Sequence, residues 1–564
     1  MAFNSSILEI LNLHTNKITK TELDGSTTPN LWDLRLGDNL LTFVPVFKSD
    51  NLQLLGLQKN QITRVELDEW ATPRLREMDL SNNLLTSIPA FRSDSLEKLI
   101  LESNKVTSVE FDGWTTPKLR DLRLNDNLLS FVPALKSDSI EILGLHNNQI
   151  TSVEFDGWAT PRLRELALYN NLLTSVPAFK SDSLEILFLH GNKIRSVEFY
   201  QLTTPNLKNI NLSENLLTSV PAFKSDSLER LVLHSNQITS VEFKEWKTPK
   251  LRELWLHNNS LTFLPAFSSN SLEVLNLHTN MITSVQLDGW ATPRLKGLDL
   301  SVNLLTSVPA FKSDNLEVLF IRINKITSVE FDGRTTPNLK QLDLANNLLT
   351  SVTAFKSDSR EILGLQNNLI VNVEFNEWVA PRLRQLDLSN NSLTSVTAFK
   401  SDSLEILGLQ NNRIMSSNPL LKFPSTIVKG MKKLEKFLCQ GATLGPTLSS
   451  GFLEFQSNAL KLVDLRNNGI SRLEPGAISG YYAKTFLSIR KEKDHSFELW
   501  SSNVIICPRL VGFDTIDHIP QGPAEMLHTF AFSHAAGHFH TPGHTVWYGN
   551  QNSTWSQSGT LSPH

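Results

Sequence analysis

The chain contains 564 residues, of which 40% are hydrophobic, and this fraction is enough to bury a continuous core. It carries 53 basic and 57 acidic residues, and the net charge of −4 gives no indication of a nucleic-acid or acidic-membrane partner. The two cysteines, Cys439 and Cys507, are too few for a disulfide framework.

The N-terminal segment lacks the features of a secretory signal. The first residues, MAFNSSILEI, have neither a basic n-region nor an apolar h-region. No apolar run reaches the roughly 18 residues that a spanning helix needs, so no membrane span is predicted. The sequence as written therefore predicts a cytoplasmic protein, which we expect to be a monomer. The first repeat starts at Leu8. If the chain is an N-terminally truncated fragment of a longer protein, we expect an extracellular location instead.

An asparagine recurs along the chain at two alternating intervals. Asn16, Asn39 and Asn60 open a series that continues to Asn412, with spacings of 23 and 21 residues in turn. The repeating unit therefore has 44 residues and holds two sub-repeats, A and B. A typical A reads SIEILGLHNNQITSVEFDGWATPR, and the B that follows it reads LRELALYNNLLTSVPAFKSDS.

Each sub-repeat carries the pattern LxxLxLxxN followed by leucine or isoleucine. The LxL segment alternates between two faces, as a short β-strand does. The asparagine follows where the chain turns, and its amide can hydrogen-bond backbone groups of the next rung. This pattern resembles that of the leucine-rich-repeat family. The resemblance covers nineteen regular rungs, from about Leu8 to Ser417.

The family resemblance implies a fold of the α/β repeat class. It implies a right-handed leucine-rich-repeat solenoid, or horseshoe, with a parallel concave β-sheet and a mostly irregular or 3-10 convex side. The B form, in which VPAF precedes a turn rich in serine and aspartate, is also similar to the short repeats of bacterial effector and internalin-type proteins.

Tryptophans recur at one position on the predicted convex side. They are Trp70, Trp114, Trp158, Trp246, Trp290 and Trp378. Such a column is either a platform for a ligand or a filling of the wider turn in the longer sub-repeat. The second interpretation is favoured, because the tryptophans belong to the longer sub-repeat A throughout.

A column of alternating charge is predicted at the residue after the first leucine of each rung. This residue is acidic in A, as in Glu141 and Glu185, and basic in B, as in Arg164 and Lys208. Adjacent rungs lie roughly 4.8 Å apart, so the column forms a ladder of opposite charges. Its main effect is on register, because an A placed on an A would set like charges side by side.

The repeat signal weakens after Asn412, and three regions are predicted. Residues 1–415 form the regular solenoid, residues 416–480 form degenerate C-terminal repeats, and residues 481–564 form a non-repeat tail that we expect to be flexible. The tail holds a histidine cluster of a kind that can bind zinc, at His534, His538, His540 and His544. The glycines and proline within that cluster argue against a rigid site, so no metal site is predicted.

No motif of a catalytic site occurs in the sequence. There is no phosphate-binding GxxxxGK[ST], no nucleophile elbow GxSxG and no zinc-binding HExxH. The repeats place like residues in columns, whereas catalysis needs unlike groups that converge in a pocket. We therefore expect no enzyme activity and no cofactor.

The residues that flank the LxL leucines vary along the predicted concave face, while the convex side repeats. This variation indicates either drift on a solvated surface or contacts with a partner. Phe188, Trp255 and Phe320 are expected to be exposed there, and exposed aromatic residues are typical anchors of interfaces. The predicted binding residues are Tyr169, Phe188, His190, His234, Trp255, His257, His278, Phe320 and Arg322.

Two functions fit this surface. One is a non-catalytic protein–protein interaction scaffold that binds a macromolecular partner on the concave face. The other is a fragment of an extracellular or cell-surface recognition receptor ectodomain. Occupancy of glycosylation sequons such as Asn211 would distinguish them, although a glycan on this predicted strand would block the inner face.

Overall fold

The computed structural model divides the chain into two compact units, residues 1–508 and 509–564. It describes residues 5–489 apart from 22–25, 45–48, 66–71, 154–157, 177–179, 198–203, 221–223, 287–289, 310–312, 330–335, 353–356, 374, 376–377, 398, 400, 415–426 and 482–484. All of the described residues belong to the first unit. Cys507 and the histidine cluster of the tail lie outside them.

Each LxL segment forms a three-residue strand, and these strands join in one parallel sheet of 22 strands. Each strand pairs with the strand of the following rung, so that central residues such as Leu143 and Leu166 align. The strands are Ile10–Asn12, Asp33–Arg35, Leu54–Gly56, Glu77–Asp79, Lys98–Ile100, Asp121–Arg123, Ile142–Gly144, Glu165–Ala167, Ile186–Phe188, Asn209–Asn211, Arg230–Val232, Glu253–Trp255, Val274–Asn276, Gly297–Asp299, Val318–Phe320, Gln341–Asp343, Ile362–Gly364, Gln385–Asp387, Ile406–Gly408, Lys436–Leu438, Leu462–Asp464 and Phe486–Ser488.

The leucines of the pattern form the core of the solenoid. In the rung that begins at Leu163, the side chains of Leu163, Leu166 and Leu168 are fully buried. The same positions are buried in the neighbouring rungs, so one apolar core runs along the array. A single rung could not bury its leucines alone, and stability therefore depends on stacking between neighbours. The predicted parallel solenoid is confirmed, whereas its handedness and horseshoe curvature stay predictions.

A buried asparagine connects each rung to the preceding one. Asn148 donates from Nδ2 to the carbonyl oxygens of Leu145, in its own rung, and Leu124, in the rung before. Its Oδ1 accepts the N–H of Leu129, also in the preceding rung, at 2.9 Å. The sequence predicts such bonds with the next rung, and the structure places them on the preceding one. They satisfy backbone groups that the turn leaves without sheet partners.

The residue before each ladder asparagine has a left-handed backbone. Asn147 has a φ of 54°, and this position is often asparagine, aspartate or serine, which tolerate that conformation. Val302 and Ile323, on consecutive rungs, have the same φ of 54° although both are β-branched. A side chain branched at Cβ adopts this conformation only with steric strain.

The other side of the solenoid consists of turns, as predicted, together with short strands that the sequence pattern did not predict. Two-residue strands pair between neighbouring rungs, and a single-turn 3-10 helix spans Phe243–Glu245. The short strands are Phe131–Val132, Ser152–Val153, Ser219–Val220, Ser240–Val241, Phe263–Leu264, Ser284–Val285, Ser351–Val352, Asn372–Val373, Ser395–Val396, Thr447–Leu448, Leu453–Glu454, Arg472–Leu473 and Ile478–Ser479.

The tryptophan column fills space on this side. The ring of Trp114 lies 5.2 Å from that of Phe91 and 5.6 Å from that of Phe111, measured between centroids. Trp378 is buried against Phe375 at 5.1 Å. These contacts support the interpretation of the column as a filling of the wider turn. Trp70 lies outside the described residues.

The charge ladder forms salt bridges between rungs. Glu185 accepts from both Arg164, at 2.9 Å, and Lys208, at 2.8 Å, on the two neighbouring rungs. Glu273 bridges Arg252 and Lys296 in the same way. The basic side chains are about half exposed, so each pair contributes little stability and the alternation acts mainly on register.

The sheet continues through the degenerate repeats and one strand farther. Cys439 takes the place of a core leucine, and its complete burial raises the pKa of the thiol. Phe486–Ser488 pairs with Leu462–Asp464, so one strand follows residue 480, where the repeats are predicted to end. Phe486 is exposed, whereas Leu487 and Ile489 pack against the core, and this rung lacks the first leucine of the LxxLxL pattern.

Replacing a ladder asparagine should destabilise the solenoid. In Asn148→Ala, the N–H of Leu129 and the carbonyls of Leu124 and Leu145 lose a buried partner. The expected loss in unfolding free energy is about 1–3 kcal/mol. Urea denaturation followed by circular dichroism measures it, with the exposed neighbour variant Gln149→Ala as the control. Equal stability of the two variants would contradict a role for the asparagine amide.

Arg360 occupies the position of the first core leucine of its rung. Arg360 is 3% exposed, and burial lowers the pKa of its guanidinium to about 9. Leucine or isoleucine fills this position in the neighbouring rungs, as in Leu339 and Leu383. We expect Arg360→Leu to raise the unfolding free energy by about 1–4 kcal/mol, because a buried charge is replaced by an apolar group. The exposed Arg382→Leu serves as the control, and a loss of stability in Arg360→Leu alone would contradict the prediction.

Candidate functional site

The side of the large sheet that faces away from the core offers three positions on each rung. In the rung of Glu253–Trp255, the core leucines are Leu254 and Leu256, and the intervening residues Glu253, Trp255 and His257 point to the opposite side. We call this side the sheet surface. The same three positions recur on every rung, so the sheet surface consists of three parallel columns.

One column, followed over seven consecutive rungs, carries a stacked ring on six of them. We call it the ring row, and its members are His146, Tyr169, His190, Ser213, His234, His257 and His278. The six ring-bearing residues are partly buried. Ser213 divides the row into two stacks of three rings.

The rings of each stack lie nearly parallel at van der Waals distance. In the first stack, Tyr169 lies 4.2 Å from His146 and 4.3 Å from His190 between centroids. In the second, His257 lies 4.3 Å from His234 and 4.4 Å from His278. The rung spacing of roughly 4.8 Å matches these distances, because it places rings of adjacent strands close enough to stack.

Phe188 extends the first stack sideways. It occupies the column between the two core leucines and is partly buried. Its ring meets the edge of His190 at 6.2 Å between centroids. The structure therefore brings together Tyr169, Phe188 and His190 among the predicted binding residues, and His146 joins them.

Two predicted anchors are buried instead of exposed. Trp255 is 5% exposed, because the guanidinium of Arg230 lies over its ring at 5.5 Å and His257 meets its edge. Its Nε1 donates to Glu253 at 3.2 Å. Phe320 is 1% exposed and lies on a strand between those of Asp299 and Asp343. The expectation that Trp255 and Phe320 are exposed is wrong, since both side chains are buried.

Arg322 lies in the ring-row column, but Ser301 separates it from His278. Its positive charge acts on the carboxylates of Asp299 and Asp343. Burial raises the pKa of both carboxyls, that of Asp343 to about 6, and Arg322 opposes the shift. The predicted site therefore divides into the ring row and an acidic region around Arg322.

The acidic region was not among the predicted binding residues. Aspartate stands between the core leucines on every second rung, at Asp299, Asp343 and Asp387. The regular spacing of 44 residues was the available signal. His146 was also missed, although it shares the column of the predicted histidines.

Burial keeps the first stack uncharged at neutral pH. It lowers the pKa of His146 to about 4, with added effects of His190 and Arg123, while Asp126 opposes the shift. Burial also lowers the pKa of His190. In the second stack, Nδ1 of His234 is 3.1 Å from Ser235 Oγ, and Nδ1 of His278 is 2.8 Å from Thr279 Oγ1. The first stack thus presents neutral imidazoles, and hydrogen bonds orient two imidazoles of the second stack.

Two other features, a metal site and a membrane-spanning helix, are absent from the part of the chain that the structure describes. Within them, no group of three or more histidine, cysteine, aspartate or glutamate residues is arranged to hold a metal ion. In the same part of the chain, no helix has the length and apolar character needed to span a membrane.

Comparison with known families identifies the class of protein. Residues 226–269, 249–291 and 314–357 match the profile described as leucine rich repeats (2 copies). Residues 382–401 match the profile described as leucine rich repeat. The chain is a leucine-rich-repeat protein, as its sequence pattern and its parallel solenoid also indicate. A search of curated protein sequences finds no match.

Three solved structures match the chain to different degrees. The chain is similar to YopM from Yersinia enterocolitica at 25% identity and a TM-score of 0.55, over 72% of this chain and 87% of that one. YopM from Yersinia pestis matches at 25% identity and a TM-score of 0.44, over 57% and 85%. A leucine-rich-repeat protein from Leptospira interrogans matches at 20% identity and a TM-score of 0.44, over 69% and 94%.

The buried imidazole of His146 should make stability depend on pH. Its pKa is about 4 in the folded protein and 6.5 in a solvated chain, so between these values the unfolded state binds more protons. The unfolding free energy therefore falls as the pH falls from about 6.5 to about 4. His146→Phe keeps a stacking ring without this proton. The variant should gain stability relative to the wild type as the pH falls from 7 to about 4.5.

Urea denaturation at several pH values measures this difference. Tyr169→Phe is the control, because it alters the neighbouring ring without removing a histidine. Parallel pH profiles for His146→Phe and the wild type would show that the imidazole is solvated in the folded protein.

Proposed function

We propose that the protein is a non-catalytic scaffold whose protein partner binds on the sheet surface, centred on the ring row. Leucine-rich-repeat solenoids generally serve as protein-binding scaffolds with extended binding surfaces. The observation that carries the proposal is the pair of ring stacks, which places six partly buried rings at one edge of the sheet surface. Phe188 adds a seventh ring beside them.

Stacked rings suit the role of interface anchors for two reasons. Each ring offers apolar area together with a polar atom, as aromatic residues of interfaces commonly do. Stacking on neighbours at 4.2–4.4 Å also holds the rings in place before binding, which lowers the entropy lost when a partner immobilises them. Neutral His146 and His190 avoid the cost of desolvating a charge.

The predicted binding residues take different parts in this proposal. Tyr169, Phe188, His190 and the second stack would contact the partner. Trp255 would support His257 from the adjacent column, since its own surface is covered. Phe320 would have a structural role, and Arg322 would add a charge beyond the end of the ring row. We propose a cytoplasmic location, with the extracellular location of a receptor fragment as the alternative.

Sequon occupancy separates these two locations. Asn211 and Ser213 belong to the rung between the two ring stacks, and Asn211 Oδ1 already accepts hydrogen bonds from the backbone and hydroxyl of Ser213. A glycan on Asn211 would cover the centre of the ring row. Mass spectrometry of the native protein should therefore find Asn211 unmodified, and a glycan there would exclude the ring row as the binding site.

The binding site can be tested by site-specific cross-linking followed by titration. The photoreactive residue p-benzoylphenylalanine replaces Tyr169 in one variant and Phe131 in another. Phe131 is 38% exposed and lies on a short strand outside the large sheet. A protein captured at Tyr169 but not at Phe131 is identified by mass spectrometry and purified. Its affinity is then measured for the wild type and for alanine variants.

Tyr169→Ala and His257→Ala should each weaken binding of that partner. Truncation of a central anchor typically costs about 2–4 kcal/mol of binding free energy. Phe131→Ala should bind like the wild type, and circular dichroism verifies that all three variants are folded. Capture at Phe131 instead of Tyr169, or unchanged affinity in both ring-row variants, would refute the proposed surface.

A further inference from the structure

A second feature of the sheet surface is a row of buried carboxylates. Asp299, Asp343 and Asp387 occupy the column between the core leucines on every second rung. Asp299 and Asp343 are each 3% exposed, and Asp387 is partly buried. We call them the acidic row. The intervening rungs place Phe320 between the first two and Gly364 between the last two.

The rungs between the carboxylates of the acidic row differ in charge. We call the rung of Phe320 the first gap and the rung of Gly364 the second gap. In the first gap, Arg322 on the Phe320 rung acts on both Asp299 and Asp343 with its positive charge. In the second gap, the residue equivalent to Arg322 is Gln366, which is neutral. The chain thus supplies a cation between Asp299 and Asp343, and an amide between Asp343 and Asp387.

Buried oxygen atoms in the second gap lack hydrogen-bond partners among the described residues. Asp343 Oδ1 accepts the N–H of Ala345 at 3.0 Å, but its Oδ2 has no such partner, and neither has Oε1 of Gln366. The two side chains converge over Gly364. A Cβ atom on this glycine would lie 2.9 Å from Asp343 Oδ1 and 3.1 Å from Gln366 Oε1.

The same arrangement recurs on the rung of Gly408. A Cβ atom there would lie 2.8 Å from Asp387 Oδ1 and 3.0 Å from Oε1 of Gln410. The Oε1 atom of Gln410 is also buried without a hydrogen-bond partner among the described residues. Burial raises the pKa of Asp387, as it raises that of Asp343, because removing a carboxylate from water disfavours its charged form.

We propose that the glycine rungs of Gly364 and Gly408 each receive a basic side chain of a protein partner. One basic group would be accepted by Asp343 and Gln366, and the other by Asp387 and Gln410. Gln366 and Gln410 are partly exposed, so they can turn outward and uncover the carboxylates. The charge-assisted bonds would take the place that Arg322 has in the first gap.

The spacing of the two rungs indicates the conformation of the partner segment. Gly364 and Gly408 are two rungs apart, which corresponds to about 9.6 Å at the strand spacing of a sheet. An extended polyproline-II segment rises about 3.1 Å per residue with three residues per turn, so residues i and i+3 share a face about 9.3 Å apart. A segment with arginine or lysine at every third position therefore fits the acidic row.

Synthetic peptides test this inference directly. The probe is a fluorescent peptide made of four Pro-Pro-Arg triplets, and the matched control has the same composition with its four arginines in succession. Anisotropy at physiological salt measures both affinities for the full chain. We expect the triplet peptide to bind about tenfold more tightly, since screened non-specific attraction does not depend on spacing.

Substitutions locate the site. Asp343→Asn should weaken binding of the triplet peptide by about tenfold or more, because it removes one partner of a buried charge pair. Asp79→Asn alters the same strand position on a distant rung and should leave binding unchanged. Gln366→Arg places the chain's own cation in the second gap, as Arg322 does in the first. It should abolish peptide binding while the protein remains folded, as judged by circular dichroism.

Three outcomes would overturn the inference. Equal binding of the two peptides would show non-specific attraction. Wild-type affinity in both Asp343→Asn and Gln366→Arg would show that the amide of Gln366 satisfies Asp343 without a ligand. Binding of calcium, with no binding of the triplet peptide, would assign the oxygens to a metal ion.

The inference rests on the proposed function only in assuming a protein partner. Its failure is distinguishable from failure of the ring row. Tyr169→Ala should not change the affinity for the triplet peptide, and Asp343→Asn should not abolish cross-linking at Tyr169.

Discussion

The buried asparagine amide is the interaction on which the rest of the structure depends. Through Nδ2 and Oδ1 it binds backbone groups of its own rung and of the preceding one, as Asn148 does with Leu124, Leu129 and Leu145. Because this bond recurs at each regular rung, strand follows strand in register, and equivalent residues fall into straight columns. The alternating salt bridges of the charge ladder reinforce the same register. The binding surfaces are consequences of this geometry, since any residue placed in a column meets its counterparts about 4.8 Å away.

This geometry explains how one sheet surface carries two different regions. Where histidine and tyrosine follow one another in a column, the rings stack and cover the strands with aromatic surface. Where aspartate alternates with glycine, the carboxylates lie close to the glycine backbone and concentrate negative charge. The two regions adjoin near His278 and Asp299, and a partner that spans both would need rings at one end and basic groups at the other.

The sequence predicts what depends on a single rung and fails where neighbouring rungs interact. The LxL pattern and the asparagine spacing identify nineteen rungs, their strands and their core leucines, because each is a local property. Trp255 and Phe320 were wrongly expected to be exposed. The burial of Trp255 involves Arg230, which lies on an adjacent strand and 25 residues away along the chain. The strand Phe486–Ser488 was missed because Leu487 and Ile489 do not by themselves complete the LxxLxLxxN pattern. The convergence of Asp343 and Gln366 over Gly364 depends on side-chain orientation, which no pattern of residue types contains.

The left-handed turn before each asparagine has a further consequence at Val302 and Ile323. In a linear array, each rung contacts only its neighbours. Local unfolding therefore begins at the least stable rungs and leaves the rungs on either side folded. The strain at these two consecutive turns adds to the cost of the buried Arg360, so the rungs between Leu298 and Leu386 are the place where we expect the array to open first. Opening there would separate the rungs that carry both ring stacks from the rung of Gly408. The array would then behave under tension or heat as two cooperative blocks joined by a hinge of strained turns, instead of as one rod.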